Sequence, residues 1–277
     1  MLNKRVTGFA NWHLGRKNHY SSSAISLLTR SFLAHQPDHI AVTGDLVNLG
    51  LDEENIAAAR YLDALGKPED VTAICGNHDA YIRSSLQNAI SQWSPYLSGD
   101  DAPLTTPAQW PVLRIRKNIA LIGCNSAEAT LPFMATGYFR QDQAERLKTL
   151  LQKTKDQNLF RVVMIHHPPI EGATKNHKRL IGMENFAKVI KEAGADLVLH
   201  GHTHLSTSYT LETPNGTCPV ICVPSLANRH GNSKPAGGYN VLNIDSQRET
   251  PSVELQRFQL SADEKSVELI QTSIFGS

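Results

Sequence analysis

Cysteine is scarce: Cys75, Cys124, Cys218 and Cys222 are the only four in 277 residues, and they form no CxxC pair. That is too sparse for a disulfide framework, and three of the four sit in or beside apolar runs, where a free thiol behaves as a small hydrophobe. A reducing, cytoplasmic protein is therefore expected. Long apolar runs are absent too. None reaches the roughly 18 residues of a membrane span, and no apolar stretch follows Lys4 and Arg5, so no signal peptide is read. Charge of one sign is lacking as well: 27 Lys and Arg face 26 Asp and Glu, a formal charge of +1. So even a balance excludes the strong basic field of nucleic-acid binding proteins. The one dense basic cluster, Arg114-Ile115-Arg116-Lys117, reads as a solvated hairpin turn, which disfavours a nuclease. No nucleic acid or membrane partner is expected, and oligomeric state is not legible.

What is present suits a globular enzyme. Hydrophobic residues make up 40% of the chain, enough for a sizeable core. Length allows one or two domains, and no linker, repeat or low-complexity tract divides it. Apolar spacing predicts helices near 22–36, over 58–65, around Leu147 to Leu151 with Asp142 as N-cap, and around Met183 to Ile190. Short apolar runs predict strands His39–Thr43, Val71–Cys75, Ile119–Cys124, Arg161–Ile165, Asp196–Leu199 and Val220–Val223, buried on both faces. Tyr239–Ile244, Val253–Leu260 and Ser266–Ile270 read as antiparallel meander strands. The pattern predicts an α/β fold, a two-sheet sandwich flanked by helices with antiparallel C-terminal strands.

Polar clusters follow the strands. They are Gly44-Asp45-Leu46-Val47-Asn48, Gly76-Asn77-His78-Asp79, His166-His167-Pro168-Pro169 and His200-Gly201-His202-Thr203-His204, with Pro224-Ser225 after a fifth strand. Half of the 12 histidines lie in these clusters. Ligands in open α/β sheets collect at the carboxyl ends of strands, so four sets of metal-type side chains are expected on one rim. Taken singly, Gly-Asp and Gly-Asn are ordinary turn pairs. His202 and His204, as alternate residues of an extended segment, would face one centre.

In this order the motifs resemble those of the calcineurin-like metallophosphoesterase family: G-D-x-x-[DN], G-N-H-[DE], a His in H-x-P context, and G-H-x-H, matched from residue 44 to 204. The form is similar to the branch of bacterial cyclic-nucleotide phosphodiesterases. The resemblance implies a two-sheet α/β sandwich and two divalent ions, Mn, Fe or Zn. Asp45 would bridge them; Asn77, His166 and His202 would complete the second metal, and His204 would serve the first. His78 would act on the phosphate as the catalytic residue, and Asn48 and Asp79 would hold ligands in position. His167 and His200 adjoin ligands without being ligands. Ser225 to His230 and Pro235 to Tyr239 are candidates for the pocket rim, with Arg229 or His230 touching substrate. The implied activity is metal-dependent hydrolysis of a small phosphodiester such as a cyclic nucleotide. The alternative is a catalytically silent member that keeps one metal as a binding or regulatory module.

The family's first motif, D-x-H, has no clean counterpart. Asn11-Trp12-His13 carries Asn where the motif has Asp, after a charged, glycine-containing segment that makes a poor buried strand. Either this is a degenerate motif, or it resembles a Lys-Arg-x-Thr-Gly-Tyr-x-Asn-Trp stretch downstream of the true motif, which then lies upstream of Met1. The second reading is preferred here. It makes residues 1–277 a single domain lacking its first strand. It keeps Asn11 and His13 out of the metal site and leaves the first metal with Asp45 and His204 alone.

Overall fold

The computed structural model describes residues 4–5, 8–9, 22–231, 234–246 and 251–276. Asn11 and His13 lie outside them.

The central layer is a six-stranded mixed sheet. It contains β3 (Val112–Arg116), β4 (Ile119–Gly123), β6 (Phe160–Met164), β8 (Leu197–His200), β9 (Ser208–Thr213) and β10 (Gly216–Cys222), in the order β3-β4-β6-β8-β10-β9. The middle four run parallel, and the edge strands pair antiparallel. Two helices cover one face. In α4 (Gln141–Asp156), Ala144, Leu147 and Leu151 are buried; in α5 (Met183–Ala193), Phe186, Val189, Ile190 and Ala193 are. Both stripes follow helical spacing. Gly194, at φ 77°, ends α5.

The opposite face packs on a second layer of two separate sheets. One pairs β1 (Ile40–Val42) with β2 (Val71–Ala73) in parallel; the other is the antiparallel meander β11 (Gly238–Asp245), β12 (Ser252–Leu260) and β13 (Val267–Phe275). Val162, Leu197, Leu199 and Ile221 of the central sheet meet Val253 and Leu255 of β12, with Leu242 and Ile244 of β11 alongside. Outside this layer lie α1 (Ser22–Leu33), α2 (Asp52–Leu65) and α3 (Arg83–Leu97). Ala58, Leu62 and Leu65 of α2 and Ala89, Ile90 and Trp93 of α3 pack with Val71 and Ala73 of β2. A parallel pair, β5 (Gly137–Tyr138) with β7 (Leu180–Ile181), ties the loop before α4 to the one before α5. The sandwich expected from sequence is therefore observed.

Three local expectations change. Asp142 lies inside the first turn of α4, bonded to Arg146 at 3.0 Å, and Arg140 holds the N-cap position. Helix α3 was not anticipated: serines and Pro95 depress its intrinsic propensity, and burial of Leu86, Ala89, Ile90, Trp93 and Leu97 decides it instead. The basic cluster does lie on a hairpin, β3–β4, with Lys117 well exposed and Arg116 partly so, but its first member is not solvated. Arg114 sits in β3, only 3% exposed, and donates to the carbonyls of Ser98 (2.6 Å), Val71 (2.7 Å), Pro95 (2.5 Å) and Pro68. Its fork ties the carboxyl end of α3, at Pro95 and Ser98, to Val71 of β2 and to Pro68 before it, contacts that a short sequence window cannot reveal. Lys117 alone takes the turn position, at φ 53°.

Arg114→Leu should therefore strand several buried carbonyls. At about 1–3 kcal/mol for an unsatisfied buried group, the expected loss is roughly 3–5 kcal/mol. Arg116→Leu, which breaks an exposed pair with Asp100, should cost about 1 kcal/mol or less. Urea unfolding of the two variants measures the difference; equal losses would refute the assignment.

Candidate metal centre

The loops after β1, β2, β6 and β8 meet at one rim. Two glycines allow the closest approach. A Cβ on Gly44, at φ 93°, would lie 2.6 Å from the Gly76 nitrogen, and a Cβ on Gly76 would lie 2.2 Å from Asp45 Oδ1. Turns β1–α2 and β2–α3 thus touch backbone to backbone. The buried Asp79 carboxylate knots them together: Oδ2 accepts the N–H groups of Asp45 (2.8 Å) and Gly76 (2.7 Å), and Oδ1 accepts that of Val47 (3.2 Å). Burial and the Asp45 charge push the Asp79 carboxyl up to about 7, against the Gly76 and Asp45 N–H groups and the His166 ring.

Within this frame Asp45, Asn77, His166 and His202 come together. His166 Nδ1 donates to the Thr43 carbonyl at 2.7 Å. Its Nε2 then faces Asn77 Oδ1 and Asp45 Oδ2, each at 3.3 Å. Burial holds the His202 ring well below its ordinary pKa, so it is neutral and carries a single N–H. With Nε2 donating to the Lys178 carbonyl at 3.0 Å, Nδ1 faces Asn77 Oδ1 at 2.8 Å with its lone pair. Two oxygens and two ring nitrogens thus converge, and the proton the set favours is the one on His166 Nε2, facing Asp45. Burial opposes a charge on His166, yet the Asp45 carboxylate raises that ring above its ordinary pKa. Burial likewise works against the Asp45 anion, but the His166, His78 and His202 rings hold its carboxyl well below the usual range. The donor set, one carboxylate oxygen, one amide oxygen and two imidazole nitrogens, fits a borderline divalent cation.

The remaining residues are placed as follows. His204 lines the same cleft as Asp45 and His202. Burial lowers its pKa to about 4, with the Asp45 charge opposing. His78 donates its backbone N–H to Asp45 Oδ1 (2.8 Å) and its Nδ1 to the Asn48 carbonyl (2.6 Å), and its ring stacks on Tyr81. Asn48 acts through that carbonyl. His167 is fully buried; its Nδ1 pairs with the Ser126 hydroxyl at 2.8 Å and its Nε2 with the Ala135 carbonyl at 3.2 Å. Ligand-type atoms of His166, His167 and His202 nonetheless lie within 4.8 Å of one another. His200 is buried on β8, bonded to the Gly201 carbonyl at 3.0 Å. Arg229 and the His230 N–H bind Glu264, at 3.3 and 3.1 Å.

One geometric expectation fails. His202 and His204 are not alternate residues of an extended segment: both adopt left-handed backbone, φ 66° and 58°, as does Asp45 at 60°. Such positions cost about 1–3 kcal/mol each and persist only where the surroundings impose them. The carbonyls of Thr43, Asn48, Ala135 and Lys178, which aim the imidazoles, were missed entirely, because any residue type supplies a carbonyl and the sequence carries no mark of it.

Residues 5–206 match the family model described as calcineurin-like phosphoesterase. A 61-residue stretch is 43% identical to the symmetrical bis(5'-nucleosyl)-tetraphosphatase of Glaesserella parasuis serovar 5 (strain SH0165), covering 22% of this chain and 21% of that relative. The chain therefore spans about a fifth of that relative's length. A dimetal phosphatase from Danio rerio superposes with a TM-score of 0.56 at 12% identity, over 93% of this chain and 90% of that one; at that identity the likeness shows the fold.

Asp79→Asn should keep the fold while loosening the knot beneath Asp45, because an amide offers one acceptor where the carboxylate uses two. Supporting groups of this kind typically change metal affinity about 10–100-fold. Calorimetric titration with Mn²⁺ should show a loss of that size, and an unchanged affinity would refute the role.

Proposed function

The chain belongs to the calcineurin-like phosphoesterase family, and we propose that the rim at Asp45, Asn77, His166, His202 and His204 is its metal centre, acting on a small phosphodiester such as a cyclic nucleotide. The family implies divalent metals and phosphoester hydrolysis. The observation that carries the assignment of residues is the meeting of four ligand-type atoms, Asp45 Oδ2, Asn77 Oδ1, His166 Nε2 and His202 Nδ1, an arrangement that suits a cation. Asp45 would bridge two ions and His204 would serve the other. When bound, such ions neutralise the phosphate and lower the pKa of a coordinated water.

The chain's own groups do the rest. Thr43 and Lys178 fix which nitrogen of His166 and of His202 points inward. The Asn48 carbonyl fixes His78 at the cleft, where it is the group to stabilise the phosphate charge or protonate the leaving oxygen. The relative that acts on a bis(5'-nucleosyl) tetraphosphate supports a nucleotide as substrate. Four free, buried thiols suit a reducing, cytoplasmic setting. A one-metal binding module is the second reading, favoured by the single carboxylate in the four-donor cluster; turnover separates the two.

Asp45→Ala should abolish metal binding, since Asp45 supplies the only anion of the donor set. His78→Ala should retain the metal and lose about 10²–10⁴-fold in turnover, the range of general acid–base catalysis. Metal analysis beside hydrolysis of a bis-aryl phosphate tests both. Equal metal loss in the two variants would contradict the roles, and a metal-loaded wild type with no turnover would leave the binding module.

A further inference from the structure

The loop between β4 and β5 carries the most exposed large apolar side chains among the described residues. Leu131 is 76% exposed and Phe133 80%, with Met134 exposed beside them. The Met134 N–H donates to the Leu131 carbonyl at 3.1 Å, and Phe133 has φ 65°. With Pro132 before it, this is a type II turn, whose third residue is ordinarily glycine. A phenylalanine there strains its backbone and, so exposed, gains little packing in return. Strain kept without a structural benefit points to a function. The tip lines neither the large cavity nor the small one beside β5 and β7.

Basic residues stand at its base. Ala135 donates to the His177 carbonyl (2.8 Å) and Gly137 to that of Arg179 (3.0 Å), and β5 pairs with β7. The turn therefore emerges beside the segment that carries Lys175, Lys178 and Arg179, all exposed. From 171 to 179 the opposing charge is Glu171 alone. Among the described residues no carboxylate pairs with Lys175 or Arg179, whereas Arg140, beyond β5, is matched by Glu128 at 2.7 Å. On the other side of the tip, Lys4 Nζ donates to the Thr130 hydroxyl at 2.8 Å. The even formal charge of +1 thus covers a local imbalance.

We propose that this tip and its basic base dock the protein on an anionic lipid surface, with Leu131, Phe133 and Met134 entering the headgroup region and Lys175, Lys178 and Arg179 meeting the lipid phosphates. Buried apolar area and opposite charge are the two contributions to interfacial binding, and this patch supplies both. The surface is touched and not crossed: no helix among the described residues is long and apolar enough to span it. An even total charge and the lack of a spanning run, which disfavoured a membrane partner, leave room for such a patch. A protein partner matches less well. Three side chains on one turn fall short of the about 800 Å² that each partner buries in a stable protein interface. A small ligand matches less well too, because the tip belongs to no concave site. Docking brings the metal-centre rim close to the lipid, since the same segments hold its imidazoles: Ala135 through His167, and Lys178 through His202. The docking itself does not depend on the metal-centre reading.

The test uses the full chain and vesicles of phosphatidylcholine, alone or with about one third phosphatidylglycerol. By co-sedimentation in about 0.1 M salt, the mixed vesicles should bind the protein at least about tenfold more tightly than the neutral ones, and the preference should shrink in about 0.5 M salt. Phe133→Asn should weaken binding to mixed vesicles about tenfold, by loss of the apolar wedge. Its Tm should stay the same or rise, because asparagine accepts the left-handed backbone and the ring it replaces is exposed. Lys175→Gln combined with Arg179→Gln should remove most of the preference for the anionic lipid while leaving Tm unchanged. Absence of vesicle binding, equal binding to the two compositions, or full binding by Phe133→Asn overturns the proposal. A lower Tm in Phe133→Asn does so as well, since the ring would then serve the fold. A dimer on gel filtration that Phe133→Asn dissociates would assign the tip to a second copy and overturn it. A raised KM for a bis-aryl phosphate in Phe133→Asn, with vesicle binding intact, would assign the tip to the substrate and likewise overturn it.

Discussion

A single buried carboxylate underlies the arrangement of the site. Asp79 takes three backbone N–H groups from two loops that glycines have allowed into contact. Without it those donors would be buried and unsatisfied, each costing about 1–3 kcal/mol. With it, the Asp45 side chain is presented at a fixed height above the strand ends, beside Asn77 and under His166. The Asp79 anion is held in a place where burial and Asp45 both oppose it. Positive charge placed beside Asp45 therefore relieves the supporting residue as well as the donors themselves.

The strain at the rim has the same character. Asp45, His202 and His204 all adopt left-handed backbone, a conformation a non-glycine residue accepts only when its neighbours demand it. The demand comes from the scaffold. The parallel strands β6 and β8 are buried on both faces and leave little freedom at their carboxyl ends. Backbone carbonyls then orient the imidazoles: Thr43 for His166, Asn48 for His78 and Lys178 for His202. Each such bond decides which nitrogen donates and so which lone pair points inward. Aromatic donors with one committed N–H and one directed lone pair are suited to a cation and poorly suited to each other. The same atoms that form an awkward cluster alone form a reasonable coordination sphere.

The second layer is less complete than the first. The central sheet has its faces covered by α4 and α5 on one side and by β12 on the other. Its counterpart is divided into a parallel pair and an antiparallel meander, with a cavity lined in part by Leu121, Val162, Leu197, Leu199 and Ile221 between them. Sheet edges are ordinarily paired, covered or charged. Here β1 carries Ile40, Ala41 and Val42, with none of these protections in its own residues. The metal-centre rim and the cavity between the two small sheets both reach Asp45.

Much of this was determined by the sequence alone. The strand ends bearing Asp45, Asn77, His166 and His202 could be read because hydrophobic runs and polar punctuation are local properties of the chain. The meander could be read from the turn residues that separate its strands, and α4 and α5 from helical spacing. Helix α3 escaped because serines and Pro95 mask a stripe that only burial of Trp93 completes. Arg114 escaped because its partners, Pro68, Val71, Pro95 and Ser98, are carbonyls that lie elsewhere along the chain. The orientation of His202 and His204 was likewise decided by tertiary structure, since φ at a non-glycine residue follows from what surrounds it. A sequence names the groups able to donate a lone pair; which nitrogen points inward depends on carbonyls far along the chain, and only the folded molecule brings those within reach.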